Sequence, residues 1–368
     1  MNEGKSLLNK PAGFPQNWMK YPIQGFSALR AVHYFMQMQV LSNAARWLPL
    51  TQNMAKPLDK KSLELLKNEV KALVEADSEN IALGIYPPSV LKPEPIFQHL
   101  LRIPQILWDG LQISWRRNKK ATKKFSKEAQ KNAAGLPEYY TRNFHFQTDG
   151  YLSTESAELY EHQVELLFTG MADAMRRLFI RPLKQALATD GVGENAALKV
   201  LEMASGTGRA SRFVKLAFEN SQVTVSDISQ PYLKVAQKKL ADLEQIDFVK
   251  ADAAQTPFKD ESFDLVFCVF LFHELPSDVR QKVIAEASRL LKPGGYFAAV
   301  DSIQLGDRTE LDQFLVEFPQ QFHEPFYTNY IKTPIEPLLN ASGLQLITSD
   351  VGFLSRYWLA KKSNIFSN

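Results

Sequence analysis

Residues 200 to 211, VLEMASGTGRAS, place an acid four positions ahead of a Gly-x-Gly turn. An apolar run ends at Glu202 and Met203, the chain turns through Ala204, Ser205, Gly206, Thr207 and Gly208, and a helical pattern begins. A strand that turns through glycine into a helix brings backbone N–H groups against a small ligand. A dinucleotide needs G-x-G-x-x-G/A with its phosphates on the helix start, and GTGRAS meets that pattern only with Ser211 in the last place. Glu202 would repel a diphosphate but attract a ligand carrying positive charge.

A second group of reactive residues follows the apolar run FDLVFCVFLF: His273, Glu274, Leu275, Pro276 and Ser277. The second histidine of H-E-x-x-H is missing, so this is not a zinc motif. His273 is the best-placed general base, because it lies just past a strand at the edge where a parallel sheet binds its ligands. Its plainer role is capping, or packing beside Pro276. Cys268, the only cysteine, stands inside the apolar run and reads as a buried small hydrophobe. One cysteine allows neither an internal disulfide nor a zinc cluster.

The glycine segment resembles the first motif of the class I S-adenosylmethionine-dependent methyltransferases, and the resemblance continues in order toward the C-terminus. It implies that Asp227 in VSDIS, ending the second strand, accepts the ribose hydroxyls. Asp252 in KADAAQTPF, after the third, would face the adenine amino group. FDLVFCVFLFHELP and LKPGGYF resemble the family's fourth strand and the turn before its fifth. The cofactor expected from the resemblance is S-adenosylmethionine, held by Glu202, Ala204, Ser205, Gly206, Thr207, Gly208, Asp227, Ile228, Asp252, Ala253 and Phe270, with no metal. Ala204 departs from the family pattern, which commonly has glycine there, and so restricts the backbone. Both aspartates are also suited to helix capping.

Methyl transfer from a sulfonium is largely a matter of positioning, so a base is needed only when the attacking atom must lose a proton. The aromatic segment LDQFLVEFPQQFHEPFYTNYIKTP lies where related enzymes build an acceptor pocket, which implies Phe322, His323, Phe326, Tyr327 and Tyr330 as lining. NFHFQTDGYLS (143–153) offers a second wall through Asp149 and Tyr151. Such aromatic density suits a small apolar or aromatic acceptor, and equally a packed core.

From Leu198 onward, short Val/Ile/Phe runs alternate with segments of helical period, which predicts βαβ units and a parallel sheet. The expected strands are LKVLEM (198–203), QVTVSD (222–227), IDFVKA (246–251), FDLVFCVF (263–270) and GYFAAVD (295–301). LQLITSD and SRYWLAKK follow Gly343, separated by a turn too short for a helical crossover, and so pair antiparallel. The fold class is α/β: a doubly wound, seven-stranded, mostly parallel sheet with an N-terminal helical extension. Helices are expected from Arg209, from Ser229, and from a Ser277 cap to a stop at Pro293-Gly294-Gly295. Residues 1–135 carry helical periods punctuated at Pro49, Pro57, Pro87, Pro88, Pro93 and Pro95, and Gly135-Leu136-Pro137 closes them. The expected organisation is thus 1–135 as helical extension, 136–190 as connecting helices able to cover a site, and 191–368 as the cofactor-binding core.

The 368 residues hold 43 Lys+Arg against 40 Asp+Glu and are 45% hydrophobic, which excludes disordered, collagen-like and disulfide-scaffold classes. The opening MNEGKSLLNKPAGFPQ lacks the basic start and apolar stretch of a secretory signal. A cytoplasmic soluble protein is expected. Basic residues concentrate in RRNKKATKKFSKEAQK, where Arg116, Arg117, Lys119, Lys120, Lys123, Lys124, Lys127 and Lys131 face one acid, Glu128. With Trp108, Leu111 and Trp115 just before it, the stretch 104–131 reads as a solvated helix face or as a membrane-surface segment. Nucleic acid is disfavoured as a partner, because Val269-Phe270-Leu271-Phe272 lacks the Asn/Asp-Pro-Pro-aromatic run of enzymes that methylate exocyclic base amines. The function expected is methyl transfer to a small acceptor by an enzyme. The alternatives are a non-catalytic cofactor-binding or assembly module on the same fold, or an RNA methyltransferase; a nicotinamide oxidoreductase is disfavoured by Glu202.

Overall fold

A computed structural model describes residues 20–46, 59–92 and 96–363 of the chain. Pro49, Pro57, Pro93, Pro95 and the opening segment lie outside the described residues. The N-terminal part is helical, as its periodicity predicts: α1 (Lys20–Arg46), α2 (Lys60–Ala82), α3 (Ile96–Lys119), α4 (Lys127–Ala133), α5 (Thr154–Leu167), α6 (Ala172–Arg176) and α7 (Ile180–Thr189). There follow β1 (Lys199–Glu202), α8 (Arg209–Ala217), β2 (Gln222–Asp227), α9 (Gln230–Lys239), β3 (Ile246–Lys250), β4 (Phe263–Val269), α10 (Ser277–Leu290) and β5 (Leu291–Ser302). The chain closes with α11 (Asp312–Gln321), α12 (Tyr327–Tyr330), α13 (Glu336–Ala341), β6 (Leu344–Gly352) and β7 (Ser355–Lys362).

All seven strands form one sheet in the order β3-β2-β1-β4-β5-β7-β6. The first five run parallel, and β7 pairs antiparallel with both β5 and β6. β2 is buried along its whole length after Gln222, because helices cover both faces, and this explains its unbroken run of β-forming residues. The strand order reverses between β1 and β4, which opens a crevice beyond their carboxyl ends.

Two local expectations change. Ser277 is the first residue of α10 rather than its cap; Pro276 holds the cap position and has no side chain to accept the free N–H groups. Pro293-Gly294-Gly295 does not stop a helix but lies inside β5, where the register with β4 shifts between Phe263 and Leu265. Gly294 sits at φ +76, and a Cβ on Gly295 would stand 2.9 Å from the Lys292 carbonyl oxygen. The bulge therefore needs both glycines.

The helical extension shares the core of the sheet. Ile23, Ile81, Tyr86 and Val90 pack in one cluster with Phe179, Val200, Phe213 and Phe267. Arg177 makes a two-pronged contact with Asp77 on α2, Nε to Oδ1 at 2.9 Å and Nη2 to Oδ2 at 2.7 Å, and all four atoms are buried. Residue 135 marks no break in packing, because α1 and α3 lie against α5, and α2 lies against α6. No helix among the described residues is long and apolar enough to cross a membrane.

The basic run does not form one helix. α3 ends at Lys119 and α4 begins at Lys127. Arg116 is buried, donating to the Phe146 carbonyl and the Thr148 hydroxyl and paired with Asp109. Trp115 is half-covered, with Lys124 Nζ 4.2 Å from its ring, whereas Trp108 is 62% exposed. Of the three apolar anchors expected for a membrane-surface segment, only Trp108 is exposed, while Leu111 and Trp115 are partly covered.

Candidate active site

A single cleft occupies the crevice and gathers the sequence signals. Glu202, Ala204, Ser205 and Gly206 line it from the turn after β1, Asp227 and Ile228 from the end of β2, Asp252 and Ala253 from beyond β3, and Phe270 and Leu271 from beyond β4. The opposite wall comes from residues 139–176: Tyr139, Tyr140, Tyr151, Tyr160, Glu161 and Arg176. The parallel sheet explains the first set, since it delivers the ends of β1 to β4 to one edge.

Asp227 is buried, and its carboxylate accepts the Gly206 N–H and the Ser229 N–H, each at 2.7 Å. Helix α9 is capped by the Ser229 hydroxyl, so Asp227 is not spent as a cap. A carboxylate has about four acceptor sites, so room remains for two hydroxyl donors. Burial pushes Asp227 up to about 6, against the pull of those two N–H groups. Asp252 is held by its own turn, accepting the Ala254 N–H at 2.8 Å. Glu202 accepts both the N–H and the hydroxyl of Ser211, and burial pushes it up to about 8. The Ser205 hydroxyl is buried with no partner among the described residues.

These features fit S-adenosylmethionine. A buried carboxylate with raised pKa suits an incoming ammonium, which would restore its charged form. The orphaned Ser205 hydroxyl and the guanidinium groups of Arg176 and Arg209, all on the cleft, suit a carboxylate. Both arginines belong to a buried network. Arg209 pairs with Asp173 at 2.6 Å and Arg176 with Glu161 at 3.0 Å, while Arg30 reaches from α1 to Glu165 and Asp173 at 2.8 Å each. Three guanidinium groups face three carboxylates, so the network can offer hydrogen-bond donors to a single carboxylate but no surplus positive charge to a diphosphate.

Backbone strain concentrates here. Ala204 sits at φ +53, Phe270 at +56 and His145 at +54, in the left-handed region that side chains disfavour. The departure noticed at Ala204 therefore has a structural counterpart: the turn demands a glycine-like conformation and an alanine adopts it.

Thr207 and Gly208, expected on the cofactor, line a separate shallow cavity with Ser89, Lys92 and Lys239. The Thr207 hydroxyl bonds to Glu161, and a Cβ on Gly208 would stand 2.7 Å from Leu240 Cδ1, so these two residues serve helix packing. His273, expected as the base, does not line the cleft. Its Nδ1 lies 2.6 Å from buried Asp301 Oδ1. Burial alone would lower its pKa, but Asp301, Glu324 and Glu274 outweigh that and raise it to about 9, so His273 is an imidazolium at neutral pH. The next residue, Glu274, does reach the cleft.

Tyr151 lines the cleft, but the other expected acceptor residues stand behind it. Tyr327 and Tyr330 are buried in the core with Ile303 and Leu311, Tyr330 bonding to the Ser302 carbonyl. His323 packs on Phe146 at 5.4 Å, and Phe326 stands against Tyr139 and Arg142. Asp149 faces away, accepting the Ser126 N–H and hydroxyl at 2.7 Å each. The inner wall is instead a cage of tyrosines: the Tyr151 and Tyr232 rings lie 5.4 Å apart, Tyr160 and Tyr232 5.7 Å, and Tyr140 and Tyr151 6.1 Å. No sequence motif marks Tyr140, Tyr160 or Tyr232, though the repeated tyrosines of EYYTRN and AELYEH were a usable signal.

His145 and Glu324 complete the arrangement. His145 Nδ1 lies 2.6 Å from Glu324 Oε1, and its Nε2 lies 3.0 Å from the Tyr151 hydroxyl and 3.4 Å from Glu274 Oε1. The Tyr151 hydroxyl donates to Glu274. Burial lowers the pKa of His145, yet Glu324 and Glu274 raise it to about 10. Potential ligand atoms of His145, Glu274 and Glu324 lie within 4.8 Å of one another, and the two ring nitrogens bond within the group to Glu324 and to Tyr151.

Known proteins match part of the chain. Residues 200–295 match the family profile described as a methyltransferase domain. A ubiquinone/menaquinone biosynthesis C-methyltransferase from Shewanella pealeana is 32% identical over 138 residues, covering 36% of this chain and 54% of that protein. A demethylmenaquinone methyltransferase from Clavibacter sepedonicus is 35% identical over 113 residues, covering 31% of this chain and 44% of that protein. The chain thus spans about half the length of the curated relatives it matches. The crystal structure of magnesium protoporphyrin IX methyltransferase from Synechocystis PCC 6803 superposes with a TM-score of 0.41 at 21% identity, over 53% of this chain and 87% of that one.

Proposed function

Starting from a class I S-adenosylmethionine-dependent methyltransferase domain at residues 200–295, we propose that the protein transfers a methyl group to a small aromatic acceptor of quinone type. The observation that carries this reading is the cleft itself, where Glu202, Gly206, Asp227 and Asp252 form one side and the tyrosine cage the other. The quinone relatives named above support the acceptor class.

When bound, the cofactor supplies an electrophilic methyl group on a sulfonium. Asp227, kept in place by Gly206 and Ser229, would accept the ribose hydroxyls. Glu202 would neutralise the ammonium, and Asp252 would take the base. Tyr151, Tyr160 and Tyr232 exclude water and offer ring faces, which suit both a planar acceptor and a nearby cation. Phe270, stacked on Phe168 with centroids 6.1 Å apart and held at positive φ, lines the cleft and would offer its ring to a bound ligand. Alignment of acceptor and methyl group within this closed wall provides most of the rate.

The test is transfer from methyl-deuterated S-adenosylmethionine to a panel of hydroquinones and phenols, read by mass spectrometry. A product heavier by one deuterated methyl group is expected. Cofactor binding with no labelled product from any small molecule would favour a non-catalytic module.

A further inference from the structure

Behind the cleft lies a buried acid–imidazole pair that cofactor binding does not use. We propose that Glu274 is the proton acceptor of the reaction, poised by Tyr151 and by the His145–Glu324 pair, so that the acceptor is a hydroxyarene that sheds a proton as it is methylated. This rests on the methyl-transfer reading above.

Four separate segments converge to build the group. Glu274 comes from the turn after β4, Tyr151 from the loop before α5, His145 from the strained turn at 144–146, and Glu324 from the link between α11 and α12. Glu274 and Tyr151 both line the cleft, and the Tyr151 phenol donates to Glu274 Oε1. His145 stands behind them, 3.0 Å from the phenol oxygen, and Glu324 anchors its far nitrogen at 2.6 Å. The Glu324 side chain is fully buried, and its Oε2 has no partner among the described residues. Burying a carboxylate and an imidazole is costly, and an apolar pair of the same size would serve packing better. The pair does, however, fix the phenol that orients a cleft-facing carboxylate.

Charge sorts the candidates. The groups facing Glu274 are the imidazoles of His145 and His273, the latter 3.8 Å away, the carboxylates of Asp227 and Glu324, and the phenols of Tyr140, Tyr151, Tyr160 and Tyr232. Both imidazoles are held protonated by their acids, and the phenols are held neutral by burial. Among the cleft-lining carboxylates, Glu161 pairs with Arg176, Glu202 holds Ser211, Asp227 holds Gly206 and Ser229, and Asp252 holds Ala254, which leaves Glu274 as the proton acceptor beside the cage. An amine attacks with a lone pair it already has, whereas a hydroxyarene becomes a strong nucleophile only as its O–H ionises. The hydroxyl O–H bond breaks and its proton passes to the Glu274 carboxylate. The oxygen pair forms the bond to the methyl carbon directly, or through the ring from a carbon; in the second case the attacked carbon then gives up its hydrogen as a proton and the ring oxygen takes one up, which restores the aromatic hydroxyl. The carbon–sulfur bond breaks with its pair on sulfur, leaving a neutral thioether and protonated Glu274.

The experiment uses the full chain with 1,4-naphthohydroquinone and 1-aminonaphthalene as probes, across a pH series, with S-adenosylhomocysteine affinity measured by calorimetry alongside. The expected result is methylation of the hydroquinone but not the amine. Glu274→Gln should lower kcat by about 10²- to 10⁴-fold while leaving KM and S-adenosylhomocysteine affinity nearly unchanged. Tyr151→Phe should show a smaller loss. His145→Gln should lower kcat with KM nearly unchanged, because it loosens the Tyr151 phenol without removing the acceptor carboxylate. A Glu274→Gln variant as fast as the unmodified chain, or methylation of the amine alone, would overturn the proposal while leaving the methyl-transfer reading intact. Absence of S-adenosylhomocysteine binding would remove that reading, and the proposal with it.

Discussion

The Asp227 carboxylate accepts the Gly206 N–H at 2.7 Å, tying the end of β2 to the glycine turn after β1. One residue thereby shapes the turn and presents the remaining acceptor sites to the cleft. Replacing Asp227 by Ala should weaken S-adenosylhomocysteine binding by about 1.5 to 3 kcal/mol, the scale of hydrogen bonds to a charged group. Calorimetry on the variant checks this, with circular dichroism to confirm that the fold survives.

Cofactor affinity should depend on pH through two acids. Glu202, pushed up to about 8, and Asp227, pushed up to about 6, are partly protonated in the free protein. The cofactor's ammonium and hydroxyls favour the carboxylate forms. Binding should therefore release protons, and affinity should rise as pH climbs from about 6 through about 8. Glu202→Gln should flatten the upper part of that rise, which titrations in buffers of different ionisation enthalpy will show.

Stability should fall on the alkaline side. The folded pKa values of His273 and His145 are raised above the ordinary 6.5, to about 9 and about 10. Their contribution is complete below pH 6.5 and is lost as pH rises through those values. Thermal melts between pH 7 and 10 should decline, and Asp301→Asn should remove the His273 part of the decline.

The helical extension should be inseparable from the sheet. Asp77→Ala leaves the Arg177 guanidinium buried and unpaired, at a cost of about 3 to 5 kcal/mol. The Tyr86 hydroxyl, which donates to Asp77 at 2.7 Å, loses its acceptor as well. Urea unfolding of the variant should show one transition at a lower midpoint, not a separate early loss of helix.

The strained Ala204 offers a test of opposite sign. A left-handed conformation costs an L-residue about 1 to 2 kcal/mol, and the added unfolded-state freedom of glycine takes back about 0.4 to 1 kcal/mol. Ala204→Gly should therefore leave stability unchanged or raise it by up to about 1.6 kcal/mol, visible in the urea midpoint.

The sheet was legible because its signals are local. β2 falls at the residues its Val-rich run predicts, and β6 and β7 pair antiparallel as their short connection requires. The acids at strand ends were legible too, since a parallel sheet brings those ends to one edge whatever the loops do. The second wall of the cleft was not. Tyr151 was reached, but Tyr160, Glu161 and Arg176 lie on helices whose periodicity shows only that one face is buried, not what it meets. His273 and Glu274 are adjacent in sequence, and only the fold shows that Asp301 holds the first while the second turns to the cleft. The aromatic insertion was misread for the same reason, because Tyr327 and Tyr330 pack inward while Glu324 between them and α11 reaches His145.

The central claim is that the cleft is built for a cationic sulfonium nucleoside and not for a dinucleotide. Its direct test is calorimetric titration of the full chain with S-adenosylmethionine, S-adenosylhomocysteine and NAD under one set of conditions. The structure predicts saturable one-to-one binding of the first two, weakened by Asp227→Ala, and no heat of binding from NAD. Tight binding of NAD with no response to S-adenosylhomocysteine would contradict it.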